Sequence, residues 1–557
     1  MSYRLLFSAL LILPITSFSS THSAIIEQQS LHQQEQQKAR QKSLTTTGKA
    51  VQGSVTVADN DTGEFTDTEG CLRIKAIHLE NRSDLPAWLP VQRIADRGLG
   101  RCLNVPNVRH LVRLLENRIM KAGYITSRVN VPDQRAGDGT LRLRINAGHV
   151  GQLKLAEGSS DNIYLNAAFP LRPGDLLDLR AVEQGLENMQ RVPHTDVAIQ
   201  LAPGEQPGTS DITVSRQQNR GWRASFWLDD AGSRYTGRYQ GGAAFYLDNP
   251  TRLNDLFYFS LGQTLEYQQQ RGSRNYAAWY SVPYGYWLLD LYASENRYSQ
   301  PLTGELSDYY YSGKSRNFSL QLSRLLHRDA TQKTTLSAQI NQRDYRYFLN
   351  DTEIELQQKE ITNARLSLAH RRYLENGVVD ATLSLQRNVP WFGNRPTTEM
   401  LYNGYHRAGR LMTFDMQAWL PFQLAGAQMS YQPHFLLQAS PDKLVSQDRF
   451  SIGNRWSVRG FDGENSLTGN SGWFLSNTVN LHLPQWDQRL YTGIDYGRII
   501  SRADNAEEGK QLAGGVLGLC GERWGVGYHL FAGTPLWKPA GYQTDTITLG
   551  FNVQWEY

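Results

Sequence analysis

The last nine residues, Leu549-Gly550-Phe551-Asn552-Val553-Gln554-Trp555-Glu556-Tyr557, alternate apolar and polar without a break. A strand sends successive side chains to opposite faces. One face here is Leu549, Phe551, Val553, Trp555 and Tyr557, and the other is Gly550, Asn552, Gln554 and Glu556. A greasy outer wall around a polar lumen marks a transmembrane β-barrel strand. An amphipathic edge strand of a soluble sandwich satisfies the same nine residues equally well, so the rest of the chain has to separate the two.

From Arg220 to the end the texture is uniform. Phe318/Leu320/Leu322, Leu336/Ala338/Ile340, Val379/Ala381/Leu383/Leu385 and Met412/Phe414/Met416/Ala418 each alternate with Ser, Thr, Gln, Asp or Asn. Gly-, Asn- and Asp-rich turns lie between them. A membrane strand needs roughly 9–11 residues, so residues 220–557 have room for about sixteen antiparallel strands. The mean hydropathy of −0.50 does not argue against this, because every second residue of such a strand faces water. No run reaches the roughly 18 apolar residues of a membrane helix.

The N-terminus reads as an export signal. Arg4 precedes the apolar stretch Leu5 to Ile15, and Thr16 to Ala24 is rich in small residues. This is too short to span a bilayer and fits a secretory signal peptide over residues 1–24, with more than one plausible cleavage point. Residues 25–44 are dominated by Gln, Glu, Lys, Ala and Arg, good helix formers without a wide apolar stripe. Such a helix either stays disordered or sits in a polar channel. Residues 45–70 read as linker, whose reach of about 90 Å when extended exceeds the roughly 25 Å apolar height of a barrel.

Two small α+β units follow, at 71–146 and 147–219. In the first, Leu72 to Leu79 alternates as a strand, Asn107 to Ala122 has helical spacing ended by Gly123, and Tyr124 to Val131 and Leu141 to Ile145 read as strands. The second repeats the plan, with a strand at Val150 to Leu155, a helix at Leu179 to Met189 and strands at Val197 to Leu201 and Asp211 to Val214. The chain has three cysteines. In an oxidising periplasm Cys71 and Cys102 are the near pair, with two separate buried thiols as the alternative. Cys520 falls in barrel-type sequence.

Within the barrel region stands Val458-Arg459-Gly460-Phe461, followed by Gly493-Ile494-Asp495-Tyr496-Gly497. These closely resemble the two signature motifs of outer-membrane protein transporters with periplasmic polypeptide-transport-associated (POTRA) domains. Asp229-Asp230-Ala231-Gly232, Thr236-Gly237 and Asp248-Asn249-Pro250 look like the opening of the barrel in two-partner secretion transporters (TpsB). Cys71, Cys102 and Gly123-Tyr124-Ile125-Thr126 are similar to that group's first POTRA domain. The resemblance identifies the chain as a haemolysin-secretion or contact-dependent-inhibition transporter of a Gram-negative outer membrane.

It implies two POTRA domains, a plug helix at 25–44 and a loop folded back into the lumen, with Arg459 meeting Asp495 on a facing strand. Glycines 493 and 497 would keep that wall open for close approach. Where this family usually carries an Arg-Asn pair, the chain has Ser476-Asn477. The resemblance further implies that Phe551, Val553, Trp555 and Tyr557 form the C-terminal signal read by the barrel-assembly machinery. The expected partners are a large secreted protein, bound through its N-terminal secretion domain, and outer-membrane lipid.

Other chemistries find no support. Gly313-Lys314-Ser315 ends like a phosphate-binding loop but has Asp308 where the leading glycine belongs. Gly98-Leu99-Gly100 lacks a third glycine, no His-Glu-x-x-His occurs, and Gly469-Asn470-Ser471-Gly472 is not a nucleophile elbow. No catalytic residue, metal site or cofactor is expected. A net charge of +4 gives no reason to invoke nucleic acid. A barrel-assembly insertase shares the Arg459 motif, and an outer-membrane barrel hydrolase is the alternative of another class.

Overall fold

The computed structural model describes residues 28, 35, 36, 39, 41 and 65, and then 70–557 apart from 135–137, 269, 304–307, 393–395, 397–400, 402–407 and 501–509. The expected signal peptide at 1–24 lies outside the described residues, as does the linker apart from Phe65 and Gly70. The expected helix at 25–44 is described at Gln28, Glu35, Gln36, Ala39 and Gln41, all helical.

In the first α+β unit, strand Ala76–Glu80 runs parallel to Thr140–Asn146, which pairs antiparallel with Arg128–Asn130. Helix Val105–Lys121 covers this sheet. Its N-cap Asn104 accepts from the Asn107 amide at 2.9 Å, satisfying an otherwise orphaned donor. One helical stripe, Leu111, Leu115 and Ile119, closes the core with Ile77, Leu79, Leu143 and Ile145. Cys71 and Cys102 are joined as a disulfide, and beside it Leu72–Arg73 pairs with Cys102–Leu103.

That pairing interrupts the single strand expected over Leu72 to Leu79. The Ile74 amide donates to Arg101 O and the Lys75 amide to Gly139 O, so the chain changes partners at this point and the alternation continues across a break. The strand expected over Tyr124 to Val131 is likewise shorter, Arg128–Asn130. Gly123 adopts φ +110°, the Tyr124 amide returns to Ile119 O, and the buried Tyr124 ring ends the turn in the core.

The second unit has strand His149–Leu155 parallel to Thr209–Gln218, which pairs antiparallel with Thr195–Pro203. Helix Leu179–Gln190 is capped by Asp178, whose carboxylate accepts from the Arg180 amide at 2.8 Å. Gly185 on this helix is in van der Waals contact range of Phe169, where any Cβ would collide with the ring.

A closed antiparallel barrel follows. Its strands are β1 (Trp222–Asp229), β2 (Gln240–Asp248), β3 (Leu256–Thr264), β4 (Gly272–Tyr284), β5 (Trp287–Thr303) and β6 (Asp308–Arg328). Then come β7 (Gln332–Leu349), β8 (Lys359–Leu374), β9 (Gly377–Asn388), β10 (Arg410–Leu424) and β11 (Ala427–Ala439). The last are β12 (Ser471–Leu483), β13 (Gln488–Ile500), β14 (Gln511–Arg523), β15 (Val526–Trp537) and β16 (Thr548–Glu556). Among the described residues these sixteen strands form the wall, and a two-residue piece, Thr352–Glu353, extends the β7 end.

The ring closes where β16 pairs with β1, Asn552↔Asp229 through Glu556↔Ser225. Outward residues are apolar and exposed, among them Phe318, Leu320, Leu322, Leu383, Leu385 and Leu549. Inward ones are polar and covered, such as Ser319, Ser323, Asn363, Ser384 and Asn480. The terminal aromatics sit on the outer face of the seam. Phe551 stacks on Tyr239, Trp555 on Phe226, and Tyr557 lies 5.6 Å from Trp222. No helix among the described residues is long and apolar enough to cross a membrane; the strands of the barrel make that crossing. Cys520 lies on β14 with a free thiol.

Candidate functional site in the lumen

The connection between β11 and β12 does not leave the barrel. It folds inward as a short hairpin, Phe450–Ile452 paired with Leu467–Gly469. Phe450, Ile452, Val458 and Phe461 pack with the wall residues Phe474, Ile499 and Leu512. An apolar cluster inside a polar lumen gives this loop a place to rest, since burying those side chains is its main source of stability.

At the loop tip Arg459 meets Asp495 of β13. Arg459 Nε donates to Asp495 Oδ2 at 2.7 Å and Nη2 donates to Oδ1 at 2.7 Å, a two-point grip that a lysine lacks. The Arg459 backbone amide donates to Oδ2 at 2.9 Å and the Asn477 amide to Oδ1 at 3.2 Å. Nη2 also donates to Thr478 Oγ1 at 2.9 Å and Asn477 O at 3.2 Å. Asp495 is fully buried and the Arg459 side chain is 18% exposed.

The glycines are a consequence of this closeness. A Cβ on Gly493 would lie 2.7 Å from Arg459 Nη2, and one on Gly497 would lie 2.7 Å from Val458 Cγ2. Gly514 faces Arg459 O and Gly533 faces the Gly460 backbone, with no room for a side chain at either place. Gly460 itself has φ +99°, which a larger residue adopts only with strain. Ser476 and Asn477 also serve the tip: Ser476 Oγ donates to Ser457 O at 2.8 Å, and Asn477 supplies the contacts above.

The sequence did not reveal a second anchor. Buried Asp230, just after β1, accepts from Arg455 of the loop and Arg238 at 3.0 Å each, and from the Phe551 amide of β16 at 3.0 Å. The inward loop is thereby tied to the closing seam. Asp230 lies in the Asp-Asp-Ala-Gly stretch quoted above, but nothing in the spacing of that stretch signals Arg455.

The described positions of the N-terminal helix touch the same region. The Gln28 side chain exchanges two hydrogen bonds with Ser466 of the loop, at 3.1 and 3.0 Å, and Gln36 Nε2 donates to Gln240 Oε1 of β2 at 2.6 Å. A third contact was also illegible in sequence. The second α+β unit docks on the barrel mouth, where Arg328 donates to Glu187 at 2.6 Å and to Glu183 at 3.3 Å, and Lys333 pairs with Glu187. Asn188 Nδ2 donates to Gly285 O at 2.8 Å, and Arg191 Nη2 to Ser281 Oγ at 2.6 Å. Among the described residues no cluster of His, Cys, Asp and Glu has the arrangement of a metal site.

Residues 208–521 match the family of haemolysin secretion/activation proteins ShlB/FhaC/HecB. Residues 72–148 match the ShlB-type POTRA domain, and 149–203 match a POTRA domain. The chain is 32% identical over 502 residues to the outer membrane transporter CdiB-2 of Burkholderia pseudomallei, covering 87% of this chain and 86% of that one. It is 28% identical to the hemolysin transporter protein ShlB of Serratia marcescens, covering 78% of this chain and 77% of that one. The structure of CdiB from Acinetobacter baumannii superposes with a TM-score of 0.85 at 27% identity, over 96% of this chain and 99% of that one. Sixteen-stranded barrel, tandem POTRA domains, inward loop and relatives agree: the chain belongs to the ShlB/FhaC/HecB family, the outer-membrane transporters of two-partner secretion, which pass a partner exoprotein out of the cell.

Proposed function

We propose that this transporter carries one large exoprotein, and that the partner's N-terminal secretion domain is captured in the periplasm by the two POTRA units, 71–146 and 147–219. Relatives named as a CdiB-2 outer membrane transporter and a hemolysin transporter support a contact-dependent inhibition protein or a haemolysin as the cargo; for a haemolysin, passage is coupled to activation, in keeping with the family's description. Strand Thr195–Pro203 is an edge of its sheet, and its unpaired backbone groups suit an extended segment added as a further strand. The cargo then passes unfolded along the polar lumen once the helix at 25–44 leaves, and folds outside. The chain works as a transporter and not as an enzyme, reaches the membrane through its signal peptide at 1–24, and is inserted by the barrel-assembly machinery reading Phe551, Val553, Trp555 and Tyr557.

The observation that carries this reading is the Arg459–Asp495 grip. It holds Val458, Arg459, Gly460 and Phe461 against Gly493 and Gly497 inside the conduit, where the loop can move aside or guide a passing chain. The test is secretion. Cells expressing the transporter with its cognate exoprotein should release that protein into the medium, and Arg459→Ala should abolish release while the barrel still inserts. Release that is indifferent to the transporter, or to Arg459, would overturn the reading.

A further inference from the structure

On the outer surface of the barrel, four cations stand directly opposite one another across four adjacent strands. Arg274 of β4 is in register with Arg297 of β5, Arg297 with Lys314 of β6, and Lys314 with Arg346 of β7. Their neighbours along each strand, such as Asn275, Asn296, Tyr298, Tyr311, Tyr345 and Tyr347, are buried on the lumen side, so the row faces outward. Like charges at directly opposed positions destabilise a sheet, and three such pairs in succession need a compensating anion.

The protein supplies little of it. Glu295 is shared by Arg297, Arg316 and Lys314 at 2.5, 2.8 and 3.4 Å, and Asp344 takes Arg346 at 3.3 Å. Arg274 lies over the Tyr267 ring at 3.8 Å, and its Nε is buried without an acceptor among the described residues. Arg297 and Arg316 remain 58% and 56% exposed.

Height decides what can reach them. The second POTRA unit holds the Gly285 turn, which puts Trp287 at the periplasmic end of β5. At roughly 3.3 Å per residue and a tilt near 40°, the run from Trp287 to Arg297 climbs about 25 Å, the height of a barrel's apolar band. Directly below the row lies the charged rung Glu295, Arg316 and Asp344, then Ala293, Phe318 and Gln342, and beneath these the outward residues are apolar: Leu291, Leu320 and Ile340, then Leu289, Leu322 and Ala338. The cations therefore crown the lipid-facing wall at the level of outer-leaflet headgroups. With strands about 4.8 Å apart the row spans roughly 14 Å, wide enough for more than one phosphate.

We propose that Arg274, Arg297, Lys314 and Arg346 bind the phosphate groups of an outer-leaflet lipid whose acyl chains lie along the apolar band beneath. Guanidinium groups clamp phosphate oxygens in pairs and the ammonium adds a point charge. The test uses the full-length transporter in nanodiscs, titrated with bisphosphorylated lipid A or its dephosphorylated form, against Arg297→Gln/Lys314→Gln/Arg346→Gln. The single variant Arg297→Gln guards against a folding failure of the triple, and Arg324→Gln, outward at the periplasmic end, is the control. Wild type and R324Q should bind the phosphorylated lipid at least ten-fold more tightly than the dephosphorylated one. The triple variant should lose that preference and R297Q should lose part of it, with heat-modifiability unchanged. Equal binding of both lipids by the wild type, or full preference retained by the triple or by R297Q, would overturn the proposal. Displacement of the lipid by inorganic phosphate at equal concentration would overturn its lipid half and leave a site for a free anion.

Discussion

Removing the Arg459 side chain takes two charge-assisted hydrogen bonds from a carboxylate that has no access to water. Asp495 keeps two backbone donors, from residue 459 and Asn477, so the cost should fall at the low end of that for breaking a buried pair, about 3 kcal/mol. At 1.4 kcal/mol per decade this lowers the ratio of docked to released loop by roughly 100-fold. The reverse change is milder. In Asp495→Ala the partly exposed guanidinium keeps Thr478 Oγ1 and Asn477 O, and a loss of about 2 kcal/mol is expected. Arg459→Ala should therefore expose the loop to added protease more than Asp495→Ala does, and the double variant should be no worse than Arg459→Ala alone, because one interaction is not lost twice. The assay is protease nicking of residues 450–469 in folded, heat-modifiable protein, read beside the amount of partner released. Additive losses in the double variant, or a larger effect for Asp495→Ala, would refute the reasoning.

Three more expectations follow from the geometry. Reducing or replacing the Cys71–Cys102 link should destabilise the first POTRA unit by about 2–4 kcal/mol, and mass spectrometry of non-reduced, alkylated protein should find only Cys520 modified. Deleting residues 25–44 removes the contacts of Gln28 with Ser466 and Gln36 with Gln240 and should raise ion conductance in planar bilayers; unchanged conductance would count against a plug. Burial raises the pKa of Glu187, but Lys333 and Arg328 more than offset this and hold it below its ordinary value of 4.5. A depressed carboxylate stabilises docking above its undocked pKa and loses that contribution as pH falls through the docked one. Docking of the second POTRA unit, followed by distances between spin labels on that unit and the barrel, should loosen only below about pH 4.5 and become pH-independent in Glu187→Gln.

The barrel was legible because it needs only a period-2 pattern, and Phe318/Leu320/Leu322 or the last nine residues carry that pattern without knowledge of their neighbours. The end of the first helix was legible at Gly123, whereas its start was read at Asn107 and the helix in fact begins at Val105, behind the Asn104 cap. What escaped is what depends on who sits opposite. The break after Arg73 comes from a change of strand partner, the Asp230–Arg455 tie joins residues far apart in sequence, and the Glu187–Arg328–Lys333 dock joins two domains. Arg459 and Asp495 were paired from the resemblance; composition alone offers no reason to choose that arginine over its many neighbours. The glycine requirement at 493 and 497 was readable as close approach, whereas Gly514 and Gly533 emerge only once the loop lies against them.

Export through the lumen takes the partner past this loop. A photo-crosslinking residue placed at Gln417 or His434, which line the cavity beside Arg459, should capture a stalled partner chain during export. The same probe at Leu383 or Leu385 on the lipid-facing wall should capture none. Crosslinks from the outer wall, or continued release of partner with no lumen crosslink at either position, would contradict passage through the barrel.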